Sequence, residues 1–216
     1  MPAALATRTT LAALTLLGAL CWSGAAKAGE PYLSGAVGGI WPLSRNASDP
    51  ATGYGFSDSF SGGLSGDFAL GYDAGALRGE LSYSVEDARL RSYSDASGTA
   101  AYSGGRQGSQ ALLLNAYWDI PTASRWTPYV GGGLGYGWQR QGNSSSGSSH
   151  YVGYSIGGFA WQAKAGISYA ATPRADLFGE VVYRGLAGFS ASDGATTYAY
   201  ASSNRLGVQV GARWRF

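Results

Sequence analysis

The chain has 216 residues, a length that suits one domain of ordinary size, and both its charged and its aromatic residues stand at 13%. Charge at about half the ~25% of a soluble domain, with 35 glycines, suits short strands and turns better than helices. The net charge of +2 includes Arg8 and Lys27 of the N-terminal stretch; without them basic residues equal the 13 acidic ones, which gives no support for nucleic-acid binding.

Residues 1–28 have the pattern of a secretory signal peptide. Arg8 precedes an apolar run from Leu11 to Leu20, and Ala26-Lys27-Ala28 forms a small-residue cleavage site before Gly29. The run is shorter than the roughly 20 residues of a spanning helix. The expectation is a cleaved leader, 1–28, and a single domain, 29–216. The sole cysteine, Cys21, falls in the leader, so the mature chain can form no internal disulfide.

The mature chain alternates with a period of two, the signature of strands with one apolar and one polar face. Tyr32 to Trp41 is the first strand, followed by a polar segment, Pro42 to Ser59, that reads as a loop. Ser61 to Tyr72 and Leu77 to Glu86 alternate on either side of a short Asp73-Ala-Gly-Ala76 turn, a hairpin. A second polar segment, Asp87 to Gln107, leads to the strand Ser109 to Trp118. A turn containing Pro121 connects it to Pro128–Trp138, whose polar parity is mostly glycine and suggests tight curvature or close backbone approach.

Gln139 to Gly158 is a third polar stretch, with Asn143 to Ser149 a Ser/Gly-rich flexible tip. Phe159 to Tyr169, a turn with Pro173, and Asp176 to Gly185 follow. The fourth polar loop, Gly188 to Ser202, precedes the most regular stretch of the chain. There Leu206, Val208, Val210, Ala212, Trp214 and Phe216 alternate with Arg205, Gly207, Gln209, Gly211, Arg213 and Arg215.

The reading is eight strands with connections alternating long and short. Transmembrane β-barrels have even strand numbers, short periplasmic turns and longer external loops. The expected fold class is therefore all-β, an eight-stranded antiparallel up-and-down transmembrane barrel with both termini in the periplasm. A soluble eight-stranded barrel also alternates, but with its apolar face inward. The membrane reading rests on three features. The polar face alone is charged, with Asp67, Arg78, Glu80, Glu86, Lys164, Glu180, Arg184 and Arg205 expected inside. Aromatics gather at strand ends, with Trp41, Tyr72, Trp118, Trp138, Tyr169, Tyr183, Trp214 and Phe216 as a girdle. The leader exports the chain. The register expected between strands six and seven sets Gly166 opposite Glu180 and pairs Lys164 with Glu180.

Asn115-Ala-Tyr-Trp-Asp119, Pro128-Tyr-Val-Gly-Gly-Gly-Leu-Gly135 and Val182-Tyr-Arg184 resemble the small opacity-type and Omp25/31-type outer-membrane proteins. The ending Gly211-Ala-Arg-Trp-Arg-Phe216 is similar to the outer membrane protein X and Ail group. The resemblance spans the mature chain. It implies a Gram-negative outer-membrane location among lipid and lipopolysaccharide. It also implies insertion by the barrel-assembly machinery, with Trp214 and Phe216 as the assembly signal. It leaves function open, since relatives are adhesins, serum-resistance factors or envelope proteins.

No catalytic, cofactor or metal site is expected. The one histidine, His150, sits beside serines in a loop without a rigid base or orienting carboxylate. Family motifs of lipid A deacylases and palmitoyl transferases are not found. Gly133-Leu-Gly-Tyr-Gly137 lies within a strand with no helix behind it, the wrong context for a nucleotide loop. Asp49 and Asp58 suit a solvated loop better than a calcium site. The expected function is a non-enzymatic surface protein: the barrel is an anchor, and four external loops are available for adhesion or envelope interaction, with a host or surface ligand as the partner they could meet. Tyr54, Phe56, Tyr93, Tyr102, Tyr151, Tyr198 and Tyr200 lie in or beside those loops. The alternative is a narrow ion or small-solute channel.

Overall fold

The computed structural model describes residues 29–192 and 196–216; the expected signal peptide, 1–28, lies outside them. Eight long strands follow one another: β1 (Glu30–Pro42), β2 (Gly55–Asp73), β3 (Leu77–Asp95), β4 (Arg106–Asp119), β5 (Trp126–Gln141), β6 (Tyr154–Ala170), β7 (Ala175–Leu186) and β8 (Ser203–Arg215). Each is antiparallel to the next, and β8 pairs back onto β1, with Val37 opposite Val210. The ring is closed, an up-and-down barrel whose wall has no free edge.

Alternation divides the side chains by chemistry. Leu70, Leu81, Leu114 and Leu134 are neighbours across β2 to β5, and all are exposed on the outer wall. Leu206, Val208 and Val210 also face outward, whereas Lys164 and Glu180 are buried inside. A soluble barrel has the reverse arrangement; an apolar exterior around a polar interior is that of a barrel in lipid.

The short turns occupy 74–76, 120–125 and 171–174. In the first, Gly75 has φ +96, a conformation that glycine adopts without steric cost, and its N–H donates to Asp73 Oδ1 at 2.9 Å. The glycine parity of β5 has a packing reason. A β-carbon at Gly133 would collide with Asn115 Oδ1, and one at Gly131 with the Tyr117 ring. These two glycines let the β4 side chains Asn115 and Tyr117 lie flat along the inner wall.

The polar segments expected as loops are largely strand. β2 begins at Gly55 and β3 continues to Asp95, so this hairpin rises well beyond the apolar belt. Arg45–Ser48 pairs with the start of β2 and with Thr197–Tyr200, which in turn pairs with Phe189–Ser192. The Ser/Gly tip forms a small sheet of Ser144–Ser146, Ser149–Tyr151 and Ser103–Gly104. The reason is solvent. Beyond the membrane both faces of a strand tolerate polar residues, so the ladder persists after the sequence alternation ends.

Val210 is exposed midway along β8 between Leu206 and Trp214. Val210→Arg is expected to destabilise the barrel by about 2–4 kcal/mol, read by urea titration in phospholipid vesicles. The folded wild-type protein is expected to migrate differently on gels with and without boiling; identical migration would contradict a closed barrel.

Candidate functional site: the sealed lumen and the external mouth

The inward positions build a column of charge. At the periplasmic end Arg78 donates through Nε and Nη2 to both oxygens of Asp119, at 2.7 and 2.9 Å, and packs on the rings of Tyr117 and Tyr129. Glu80 accepts from the hydroxyls of Tyr32 and Tyr117, each at 3.0 Å. Asp176 accepts from Arg213 and Arg215, and Arg215 also reaches Asp73.

At mid-height Gly166 lies opposite Glu180, and Lys164 Nζ donates to Glu180 Oε1 and to Asp67 Oδ2, both at 2.8 Å. Tyr129 donates to the other Glu180 oxygen at 2.8 Å. Gln209, with its amide turned to donate to Asp67 and Glu180 at 3.2 Å each, closes the cluster. Above it Arg184 reaches Asp67 at 3.0 Å and Glu86 at 2.5 Å, and Arg205 holds the second Glu86 oxygen. Lys164, Arg184 and Arg205 thus balance Asp67, Glu86 and Glu180 in one network. The gaps that remain beside it have volumes of about 20 and 10 Å³, on the scale of single waters.

All eight charges expected inside are buried there. Sequence reasoning did not assign Asp119, Asp176 or Arg213 to the lumen. The two aspartates border turns, where parity is hard to read; Arg213 shares the parity of Arg205, and that signal was available.

A second plug lies above the network in a segment read as loop. Arg45 is only 1% exposed. Its Nη2 donates to Asp58 Oδ2 at 3.0 Å and to the Tyr154 hydroxyl at 2.8 Å. Its Nε and Nη1 find no hydrogen-bond partner. The rings of Tyr200, Phe189 and Phe60 surround the guanidinium instead, at 4.7, 5.4 and 5.5 Å from Cζ. Tyr102 donates to the free oxygen of Asp58 at 3.1 Å.

Above this floor opens a cavity of about 300 Å³ whose walls include Tyr54, Phe56, Tyr102, Tyr151, Tyr198 and Tyr200. The rings meet edge to face, as in Phe56–Tyr198 and Tyr102–Tyr151, each at 5.6 Å. At the rim the Tyr54 hydroxyl donates to Asp95 at 2.6 Å; that bond pushes Tyr54 up to about 12 and holds Asp95 below the usual carboxylate range. Aromatics spread over four sequence segments are thereby gathered into one concave surface. His150 is exposed at its edge, in the strand Ser149–Tyr151. Asp49 accepts from Thr52 and from the Ala51 N–H. Among the described residues no three His, Cys, Asp or Glu converge as a metal-ligand set.

On the outer wall Trp41, Tyr72, Trp118, Trp138, Tyr183, Trp214 and Phe216 are exposed. Tyr169 is half-buried because it packs on Trp126, ring centroids 4.7 Å apart. Trp126, read from sequence as part of a turn, is the first residue of β5.

Solved structures share this architecture. The outer membrane protein OprG from Pseudomonas aeruginosa is similar with a TM-score of 0.59 and 16% identity, covering 88% of this chain and 97% of its own. The outer membrane protease OmpT from Escherichia coli is similar at 0.55 and 9%, covering 87% and 97%. Neisserial surface protein A is similar at 0.53 and 20%, covering 86% and 97%. At these identities the likeness shows the fold alone. No curated protein sequence matches the chain. The surface antigen family matches residues 106–216, from the first residue of β4 through β8. With just over half of its length matched, and with a closed barrel greasy outside and ionic within, the chain belongs to the surface antigen family and is an outer-membrane protein of Gram-negative type.

Proposed function

We propose that this protein is a non-enzymatic surface protein whose barrel serves as an anchor and whose external mouth carries recognition. The observation that supports this reading most strongly is the contrast along the barrel axis. The middle is filled by paired ionic side chains with gaps only of single-water size, while the outer end opens into an aromatic cavity of about 300 Å³. That volume is at the lower end of the range for small-molecule sites, and barrel mouths are a usual place for them. Tyrosine-rich walls offer large apolar area with polar tips, a composition suited to binding.

The channel reading requires a continuous aqueous path. Opening one here means separating buried ion pairs, and an unpaired charge in such surroundings is costly. The exposed His150 has Ser145 as its strand partner, and among the described residues no carboxylate hydrogen-bonds to it as the orienting group of a nucleophilic pair would. Export by the leader, and insertion by the barrel-assembly machinery through the strand carrying Trp214 and Phe216, belong to the same proposal. The outward, strand-end position of the aromatic belt supports interfacial anchoring in lipid and lipopolysaccharide.

In planar bilayers the folded protein is expected to give no stable conductance steps; reproducible steps would favour the channel. Lys164→Met leaves Asp67 and Glu180 without their shared cation, and a loss of about 3–5 kcal/mol in vesicle unfolding is expected. Adding Asp67→Asn and Glu180→Gln to Lys164→Met is expected to recover much of that loss. Failure to recover would show that the lysine acts through packing rather than charge.

A further inference from the structure

The outer wall changes chemistry part-way up β3. Its outward positions run Leu77, Leu81, Tyr83 and Val85, then Asp87, Arg89 and Arg91. Its inward positions run Arg78, Glu80, Ser82, Ser84 and Glu86, then Ala88 and Leu90, both buried. The strand keeps its parity while the apolar side switches from outside to inside. This crossover marks the level at which the wall leaves hydrocarbon.

The register shows what stands at that level. Val85 lies opposite Gln110, which lies opposite Trp138, a residue of the outer aromatic belt. The next outward row is Asp87, Gly108 and Arg140, and the row above is Arg89 and Arg106, also direct neighbours. With a rise of about 3.4 Å per residue and a tilt near 40°, these rows stand about 5 and 10 Å above Trp138. The headgroup zone adds about 5–8 Å to each side of the hydrocarbon core, and arginine stems reach down along a wall.

The four arginines also form a sector. Among the described residues every other Arg or Lys is directed into the barrel or lies at its periplasmic end. No Arg or Lys faces outward above the belt on β6, β7, β8, β1 or β2. Arg106 is held across the strands by Asp87, with Nε–Oδ1 at 3.2 Å and Nη2–Oδ2 at 2.5 Å. Arg89, Arg91 and Arg140 are exposed and make no ion pair among the described residues. Gly108, between Asp87 and Arg140, has open space where a side chain would stand. The result is a shallow notch just above the belt, floored by backbone and rimmed by Arg140, Arg106 and Arg89, with the Asp87 carboxylate turned to Arg106.

We infer that this sector binds phosphate groups of the outer-leaflet glycolipid, lipopolysaccharide, seated over Gly108 between Arg140, Arg106 and Arg89. Guanidinium forks match phosphate oxygens in geometry as well as charge. The aromatics below, Trp138 in the row of Val85 and Gln110 and Tyr83 and Tyr136 in the row beneath it, meet the glycolipid's acyl–sugar boundary. The inference rests on the barrel's placement in the outer membrane and is independent of whether the aromatic mouth binds a ligand.

The test uses folded full-length mature protein in a neutral detergent, titrated with phosphorylated lipid A, with the same lipid after enzymatic removal of its phosphates, and with inorganic phosphate. Wild type is expected to bind the phosphorylated lipid in preference to the dephosphorylated one, with weakening at higher salt. Arg89→Gln with Arg140→Gln is expected to reduce affinity by about five-fold for each arginine removed, while retaining the gel shift on boiling. The control, Arg125→Gln with Arg174→Gln in the periplasmic turns, is expected to bind like wild type. Equal binding of both lipids, undiminished binding by the Arg89/Arg140 variant, or an equal loss in the control would overturn the inference. So would inorganic phosphate displacing the lipid at equal molar concentration, since the ligand would then be the free anion.

Discussion

A peptide group in hydrocarbon has no water to bond, and that single constraint organises this molecule. Each of the eight spanning strands must find partners on both edges, so the first must meet the last. The pairing of β1 with β8, Tyr32 opposite Arg215 through Pro42 opposite Arg205, completes the ring. Once it is closed, side-chain parity leaves two environments. Alternate residues face lipid, where charge is costly, and the others face a narrow lumen, where ionic groups find counter-charges.

Eight strands enclose little more space than their own side chains fill. The interior is accordingly a stack of hydrogen-bonded clusters. Arg78 with Asp119 lies near the periplasmic end, Lys164 with Asp67 and Glu180 at mid-height, and Glu86 between Arg184 and Arg205 above. The clusters share members, since Arg184 also holds Asp67. Such a network ties strands far apart in sequence: Arg205 and Glu86 lie on opposite halves of the chain. The glycines of β5 belong to the same arrangement, because they let Asn115 and Tyr117 lie flat across the wall.

The external third follows different rules because water is present again. There β2 shifts register against β3 near Gly62 and Gly63, and the inner side of the wall mixes apolar residues such as Ala88 and Leu90 with buried Asp58, Gln107 and Gln141. Arg45 is sealed beneath a group of rings, and tyrosines from separate segments line the mouth above it. The same change of solvent leaves Arg89, Arg91, Arg106 and Arg140 facing outward on one side, with Arg140 in the first row above the aromatic belt.

Strand number, the alternation of short and long connections, the apolar side of each spanning strand and the interior position of Lys164 and Glu180 were legible in the sequence. Lipid on one side and a filled lumen on the other impose a strict period of two, and a period is a local property. The register expected between β6 and β7 followed from a tight turn, which fixes pairing locally as well. The extension of the strands past the membrane left no such trace, since Ser, Gly and Tyr satisfy either face in water. Arg45 with Asp58, the gathering of Tyr54, Tyr102, Tyr151 and Tyr200, and the arginine sector are contacts between segments distant along the chain. Only the closing of the barrel brings those segments together, because position around a ring depends on every strand between them.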